Sequence, residues 1–222
     1  MHQFTAEVEE LAKEVLEYSL IRLRTDPPLD GPKTAQELYD LAGNTITEKG
    51  LGGHEALKLF KDVLAKACIS TDHPRYLAFI PSAPSEYANL FDLVVGASAL
   101  YGGSWLEGAG AVFAENQALK WISDLAGMPN TAGGVFVQGG TIGNLSALVT
   151  ARNTFRNKRK DVTRWVIAAS ADSHSSVKSA AEVMDVGILL IKPDKDGILQ
   201  GSACEVAIDK YHHENPNHQV FA

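Results

Sequence analysis

The opening of the chain carries apolar side chains at helical spacing. From Phe4 to Arg24 they recur every three or four positions, as on one face of an amphipathic helix, and the pattern stops at Asp26-Pro27-Pro28. The same spacing predicts two further helices, over residues 34–42 and 54–68. We therefore expect a helical arm whose apolar face packs against the rest of the chain or against a partner subunit.

The middle of the chain is more apolar and is interrupted by glycine and proline. The aromatic run at residues 75–81 predicts an extended segment that ends at a proline. Two apolar helices are predicted over residues 86–100 and 110–126. The glycine-containing loop predicted between them includes Trp105 and Glu107.

Beyond residue 130, short apolar runs alternate with helical patterns. Strands are predicted at residues 134–137, 165–168, 186–191 and 219–222, and helices at residues 144–156, 175–184 and 202–213. This alternation indicates an α/β domain built on a largely parallel sheet. We expect residues 1–72 to form a helical N-terminal arm and residues 73–222 the first part of the α/β domain. Since the last predicted strand is cut at Ala222, we expect the sequence to be a fragment of a longer polypeptide.

Composition and charge narrow the class of protein. Hydrophobic residues make up 45% and charged residues 21% of the chain, as in ordinary globular proteins. A net charge of -7 argues against a nucleic-acid partner, because nucleic-acid binding uses clustered Lys and Arg. No apolar run approaches the roughly 20 residues that span a bilayer. Cys68 and Cys204 have neither disulfide-framework nor zinc spacing, so we expect a soluble, cytoplasmic protein.

A glycine-rich motif, Gln138-Gly139-Gly140-Thr141-Ile142-Gly143-Asn144-Leu145, follows a predicted strand and opens a predicted helix. Glycines let the backbone approach a ligand closely, and the free N–H groups at a helix N-terminus attract an anion such as phosphate. The motif therefore predicts phosphate binding, although a tight turn with a helix cap would have the same pattern. It matches neither the dinucleotide-binding nor the P-loop motif.

A second motif, Ala171-Asp172-Ser173-His174-Ser175-Ser176-Val177, lies just beyond another predicted strand. Ligands bind at the carboxyl edge of open α/β sheets, so His174 could reach the same crevice as Thr141. A capping or surface histidine is the alternative. His212, His213 and His218 do not predict a metal site, because metal ligands on a helix favour i, i+4 spacing and two of the three are adjacent.

Two further motifs accompany these along the chain. The four are His73-Pro74-Arg75-Tyr76, Phe79-Ile80-Pro81-Ser82, Gly139-Gly140-Thr141-Ile142-Gly143-Asn144-Leu145 and Asp172-Ser173-His174-Ser175-Ser176. Together they resemble the N-terminal half of the group II pyridoxal-phosphate-dependent amino-acid decarboxylases, the aromatic-L-amino-acid and glutamate decarboxylase-like enzymes. The resemblance covers nearly the whole chain. It implies the first part of an aspartate-aminotransferase-type (fold type I) large domain.

The resemblance implies roles for individual residues. The segment of Gly140, Thr141, Ile142 and Asn144 matches the part of the family that binds the cofactor, with backbone N–H groups of Thr141 and Ile142 on its phosphate. His174 matches the histidine that stacks on the pyridine ring and can assist proton transfer. The substrate pocket is implied at four consecutive residues: Phe79, Ile80, Pro81 and Ser82. Their apolar character favours an aromatic or other uncharged amino acid as substrate.

The resemblance also implies what this chain does not contain. The family pairs the ring nitrogen with an aspartate and binds the cofactor through a lysine Schiff base, and both positions lie downstream of residue 222. We therefore expect decarboxylation by the intact protein, a homodimer, and no turnover by this chain alone. Trp105 and Glu107 match a region near the dimer interface. Another fold type I lyase or transaminase, or a non-catalytic truncated relative that serves in binding or assembly, are the alternatives.

Overall fold

The computed structural model describes residues 3–222. The chain divides into two compact units, one that ends at Val112 and one that begins at Phe113. The predicted functional boundary at residue 72 falls inside the first unit and stays a prediction. No helix within residues 3–222 is both long and apolar enough to span a membrane.

The first unit is helical, as the apolar spacing predicts. Its helices are α1 (Ala6–Arg24), α2 (Ala35–Ala42), α3 (Gly53–Leu59) and α4 (Glu86–Ala97), and α3 continues into a π-helical turn (Phe60–Leu64) and a 3-10 turn (Ala65–Ala67). The Thr5 hydroxyl caps α1 by accepting a hydrogen bond from the N–H of Val8 at 3.3 Å. Thr34 and Glu37 form a reciprocal capping box at the start of α2.

Two polar contacts hold the end of α1 to distant parts of the first unit. Arg22 makes a bidentate ion pair with Asp72, with N–O distances of 2.5 and 2.8 Å. The hydroxyl of Ser70, which is buried, donates to the carbonyl of Pro28 at 2.6 Å and accepts from the N–H of Asp30 at 3.1 Å. These contacts fix the proline-containing loop that follows α1.

The predicted extended segment at residues 75–81 is wrong within the described residues. It forms turns and bends, and Phe79 has a φ of 59°, which lies outside the extended region. The side chains of Leu77 and Ile80 are almost fully exposed. A strand needs a neighbouring backbone to pair with, and no strand of the described chain pairs with this segment.

The predicted loop is confirmed over residues 101–104, but it does not include Trp105 and Glu107, because α5 (Trp105–Leu125) begins there. The Ser104 hydroxyl oxygen accepts from the N–H of Glu107, and the hydroxyl donates to the Glu107 carboxylate, which gives Glu107 a local structural role at the helix start. The helix is kinked at Gly108, with φ -136° and ψ 41°. A Cβ at Gly108 would lie 1.8 Å from the carbonyl oxygen of Tyr101, so only glycine fits.

The second unit is an α/β structure, as predicted. After the end of α5 its elements are α6 (Gly140–Lys158), β1 (Arg164–Ser170), α7 (Ser175–Val183), β2 (Gly187–Ile191), α8 (Gly201–Glu214) and β3 (His218–Val220). Within the described residues the strands form one parallel sheet in the order β2-β1-β3. The backbone continues to bond to β1 past β3, since the N–H of Ala168 donates to the carbonyl of Ala222 at 2.7 Å.

The core of the second unit lies between the sheet and two helices. Its buried residues are Ile167, Ala181, Met184, Val186 and Phe221, and packed against them are Leu145, Leu148, Val149, Ala151, Trp165, Val177 and Ile188. Members of this list come from both α6 and α7, so the two helices share one apolar core. That packing fixes the position of their N-terminal turns.

The predicted strand at residues 134–137 is wrong within the described chain. These residues precede α6 without strand pairing, and the side chains of Val135 and Phe136 are exposed. The apolar run has strand composition, but no described backbone lies beside it to complete a ladder. The glycine-rich motif therefore follows an unpaired segment instead of a sheet strand.

Candidate functional site

The glycine-rich motif forms the N-terminal turn of α6. The helix begins at Gly140, after Gly139, whose φ of 83° lies in the left-handed region that favours glycine. The carbonyl of Gly139 accepts from the N–H of Gly143 at 3.2 Å, which closes the first helical turn. By helix geometry the N–H groups of Gly140, Thr141 and Ile142 have no intrahelical partner, and no side chain of the described residues caps this helix.

The environment of these N–H groups suits an anion. The first turn of α6 contains no acidic residue, so no carboxylate on that turn opposes the positive end of the helix dipole. A Cβ built on Gly139 or Gly140 meets no atom within 4 Å, so the space beside the turn is open. The side chains of Thr141 and Ile142 are exposed. The turn can therefore bind a phosphate group through its backbone.

His174 lies at the N-terminal end of α7, just past the carboxyl end of β1. It is the N-cap of that helix, a position more often held by Ser, Thr, Asp or Asn. Its Nδ1 accepts a hydrogen bond from the backbone N–H of Ser176 at 3.2 Å and lies 2.9 Å from the Ser176 hydroxyl oxygen. The ring itself is exposed. The capping role predicted as an alternative is thus present, and it leaves the imidazole accessible to solvent.

A hydrogen bond between side chains joins the two helix ends. Asn144 Nδ2 donates to Ser176 Oγ at 2.8 Å, which joins the start of the second turn of α6 to the first turn of α7. The first turn of α7 also lacks acidic residues. The structure thus places His174 and the glycine-rich motif on two neighbouring helices, α6 and α7, which are joined through Asn144 and Ser176.

Ser176 is the site residue that sequence reasoning missed. It is almost completely buried, and it contacts both His174 and Asn144. The signal in the sequence is its position two residues after a histidine that follows a strand, because the second residue of a helix offers its N–H to the N-cap side chain. The contact to Asn144 depends on the packing of two helices and leaves no local signal.

The four residues of the implied substrate pocket lie in the other unit of the chain. Phe79, Ile80, Pro81 and Ser82 are all exposed. Their role in a substrate pocket stays a prediction. The first unit also contains an apolar groove of about 850 Å³ between α1 and residues 83–93.

The histidines near the end of the chain take part in hydrogen bonds. His218 Nδ1 lies 2.8 Å from the Tyr211 hydroxyl, and His212 Nε2 accepts from the N–H of Val220 at 3.2 Å. Residues 3–222 contain no group of three or more His, Cys, Asp or Glu side chains arranged to hold a metal ion. These contacts give His212 and His218 structural roles in the packing of α8 on β3.

Comparison with known proteins finds one family and several relatives. Residues 37–216 match the family model described as the pyridoxal-dependent decarboxylase conserved domain. An aromatic-L-amino-acid decarboxylase of Bacillus atrophaeus is 32% identical over 141 residues, which are 63% of this chain and 29% of that protein. A glutamate decarboxylase-like protein of Gibberella zeae is 30% identical over 184 residues, 78% of this chain and 34% of that protein.

Solved structures match the fold over almost the whole chain. Mouse CSAD in its apo form has a TM-score of 0.82 at 20% identity, covering 96% of this chain and 47% of that one. Oryza sativa TDC with PLP and tryptamine has a TM-score of 0.77 at 19% identity, and the match covers 96% of this chain and 48% of that one. The fold is therefore the first part of the fold type I domain, as the resemblance implied. The chain spans about a third of the curated relatives and about half of the solved chains.

Proposed function

The chain belongs to the pyridoxal-dependent decarboxylase family, whose cofactor is pyridoxal phosphate, and from that premise we propose that the intact protein removes the α-carboxylate of an amino acid. The observation that carries the proposal is the junction of two helix N-termini, one with free backbone N–H groups and one with an exposed histidine. This junction fits a ligand that has both a phosphate and a flat ring.

The phosphate would bind at the first turn of α6. The N–H groups of Gly140, Thr141 and Ile142 would donate to its oxygens, and the Thr141 hydroxyl would add a further donor. The open space beside Gly139 and Gly140 supports this fit, because a side chain at either position would occupy it. Charge-assisted hydrogen bonds of this kind are about twice as strong as neutral ones.

His174 would lie against the ring of the cofactor. When bound, pyridoxal phosphate supplies an electron sink for the electron pair that carbon dioxide leaves behind. The imidazole would hold the plane of the ring, and its Nε2 would hold or deliver a proton at the carbon that loses the carboxylate. Its Nδ1 is already engaged at the start of α7, so only Nε2 is free for this work.

The proposed substrate is an aromatic or other uncharged amino acid. Phe79 and Ile80 are exposed apolar residues that suit the wall of a pocket for such a side chain.

The proposed assembly and location depend on other features of the chain. We propose a homodimer, because the apolar groove between α1 and residues 83–93 is an exposed apolar surface that a second copy of the chain would cover. The free thiols of Cys68 and Cys204 support a reducing, cytoplasmic location.

Titration of the purified chain with pyridoxal phosphate tests the proposal. We expect saturable binding that raises thermal stability and that weakens in a His174→Ala variant. A His213→Ala variant is the matched control, since His213 is exposed on α8 and away from the junction. Equal binding by wild type and His174→Ala would overturn the role of His174, and no binding by a folded chain would overturn the phosphate site. Assay of carbon dioxide release by the intact protein then tests the reaction.

A further inference from the structure

We propose that Asn144 and Ser176 are positioning residues that fix the orientation and the tautomer of the His174 imidazole. The functional value of holding His174 in one orientation rests on the proposed function, since an imidazole that stacks on a cofactor has to be held in one plane. The hydrogen bonds themselves are a property of the chain without any ligand. They can therefore be tested separately from the reaction.

The backbone determines which ring nitrogen carries the proton. A peptide N–H can only donate, and that of Ser176 points at His174 Nδ1 from 3.2 Å. Nδ1 therefore offers a lone pair and has no proton. A neutral imidazole has a single N–H, so the proton of His174 is on Nε2. The N–H of the ring then points away from the groups at the start of α7 that contact Nδ1.

The Ser176 hydroxyl reinforces this assignment. Its oxygen accepts from Asn144 Nδ2 at 2.8 Å and lies 2.9 Å from His174 Nδ1. Because the amide N–H occupies a lone pair of the oxygen, the single hydroxyl proton is free to point at Nδ1. The donors run in one direction, from Asn144 through Ser176 to His174. Two donors then converge on one ring nitrogen and hold the imidazole in place.

The depth of Ser176 makes this chain of hydrogen bonds specific. Only 2% of the residue is exposed, whereas His174 and Asn144 are both exposed. A buried hydroxyl has to find protein partners, because water does not reach it. Its partners come from α6 on one side and from the cap of α7 on the other. We therefore assign Asn144 to the support of His174 through Ser176 instead of to direct contact with the cofactor.

Nitrogen-15 NMR of the chain labelled in histidine tests the assignment. A His174→Gln variant identifies the His174 signals, and in the wild type we expect an unprotonated Nδ1 and a protonated Nε2. The Asn144→Asp variant replaces the amide donor by a carboxylate that attracts the Ser176 proton. The Ser176 oxygen then presents a lone pair to Nδ1, so we expect the population protonated at Nδ1 to rise.

Two further variants separate positioning from a general effect on the fold. Ser176→Ala removes the hydroxyl, and we expect altered His174 signals with the dispersion of the amide signals retained. Ser179→Ala is the matched control, because Ser179 is an exposed serine further along α7. If Asn144→Asp unfolds the chain, Asn144→Ala takes its place and is expected to give a mixture of tautomers. A wild-type ring protonated at Nδ1, or His174 signals that none of these folded variants changes, would overturn the proposal.

Binding of pyridoxal phosphate provides the second readout. Loss of one net hydrogen bond to the ring is expected to weaken binding to Ser176→Ala by roughly two- to tenfold, with no change for Ser179→Ala. If the variants at Asn144 and Ser176 change the His174 tautomer but the wild-type chain binds no cofactor, the positioning role is supported and the proposed function is contradicted. If the wild-type chain binds the cofactor but none of the variants changes the tautomer, the positioning role is contradicted and the proposed function is not.

Discussion

At the scale of single residues, the proposed phosphate site depends on backbone N–H groups, which side-chain truncation does not remove. Thr141→Pro removes one of them, together with the Thr141 hydroxyl, in the first turn of α6, where the N–H has no intrahelical partner to lose. Thr141→Ala, which removes the hydroxyl alone, separates the two contributions. Hydrogen bonds to charged groups contribute about 1.5–3 kcal/mol, so we expect pyridoxal phosphate to bind roughly ten- to a hundredfold more weakly. Isothermal titration calorimetry measures the change.

The chain offers a close control for that variant. Ser202 is the second residue of α8 and also follows a glycine, Gly201, so Ser202→Pro makes the same backbone change in another helix. We expect it to leave cofactor affinity unchanged. Equal weakening by the two variants would show that proline acts through the fold, and no weakening by Thr141→Pro would contradict backbone binding at α6.

The ion pair between Arg22 and Asp72 gives the first unit a pH-dependent contribution to stability. The Arg22 guanidinium, through its hydrogen bonds, lowers the pKa of Asp72 below its ordinary value, and Asp72 raises the pKa of Arg22. Both side chains are less than a third exposed. Because the pair is only partly buried, we expect Asp72→Asn to lower the free energy of unfolding by about 1–2 kcal/mol at neutral pH.

The sign of the pH dependence follows from the lowered pKa of Asp72. The stabilisation is complete above the pKa of an unfolded aspartate, about 3.9, and is lost as the pH falls through the lower pKa of the folded state. Urea unfolding of wild type and Asp72→Asn between neutral and acidic pH should therefore show a difference that shrinks on acidification. Asp161→Asn, which breaks an exposed ion pair with Arg159, is the control. It should lower the free energy of unfolding by less than Asp72→Asn does. A difference in unfolding free energy between wild type and Asp72→Asn that stays constant with pH would exclude the ion pair as its cause.

The sequence predicted the local positions of Thr141 at a helix start and of His174 just after a strand, and their roles in binding stay predictions. Thr141 and His174 stand in motifs whose chemistry is local, namely a glycine-rich helix start and a histidine after a strand. The motifs do not predict Ser176, because its role needs α6 and α7 to pack so that Asn144 reaches it. Contacts between residues 32 positions apart depend on tertiary structure and have no period in the sequence.

At the scale of elements, helices were predicted better than strands. An amphipathic helix such as α1 satisfies its own backbone, so spacing alone identifies it. The runs at residues 75–81 and 134–137 have strand composition, but a strand needs a partner that lies elsewhere along the chain. The start of α5 was readable from the Ser104-x-x-Glu107 sequence pattern and was missed because the nearby glycines suggested a loop.

Replacing either of two glycines of α5 by alanine should change the free energy of unfolding, with opposite signs at Gly108 and Gly110. Gly108→Ala places a Cβ 1.8 Å from the Tyr101 carbonyl oxygen, a backbone atom that cannot move aside without distorting the kink. Gly110 has nothing within 4 Å of its Cβ position, so Gly110→Ala should stabilise the helix by about 0.5–1 kcal/mol. Chemical denaturation should show a loss of stability for the first variant and a gain for the second. Two changes of the same sign would contradict the close approach at the kink.

At the scale of the whole molecule, the proposed assembly depends on apolar surface in the first unit. The groove between α1 and residues 83–93 has a volume of about 850 Å³, and Leu16, Leu90 and Leu93 on its walls are exposed. Patches of this kind on soluble proteins mark interaction surfaces. The helices predicted from sequence showed that such a face exists, but only the folded chain shows that two segments combine into one groove.

A charge placed in the groove tests whether a second copy of the chain covers it. Leu93→Glu puts a carboxylate on a wall residue that is 62% exposed in the single chain, so the variant should fold normally as a monomer. In a dimer the same carboxylate would lose its water without gaining a partner, which costs several kcal/mol and should raise the dissociation constant by more than about a hundredfold. Analytical ultracentrifugation across a concentration series measures that constant. Val206→Glu, a change at an exposed apolar residue of α8 outside the groove, should leave it unaltered. A wild-type chain that is monomeric throughout, or a Leu93→Glu dimer as tight as wild type, would mean that the groove is not the surface through which two copies associate.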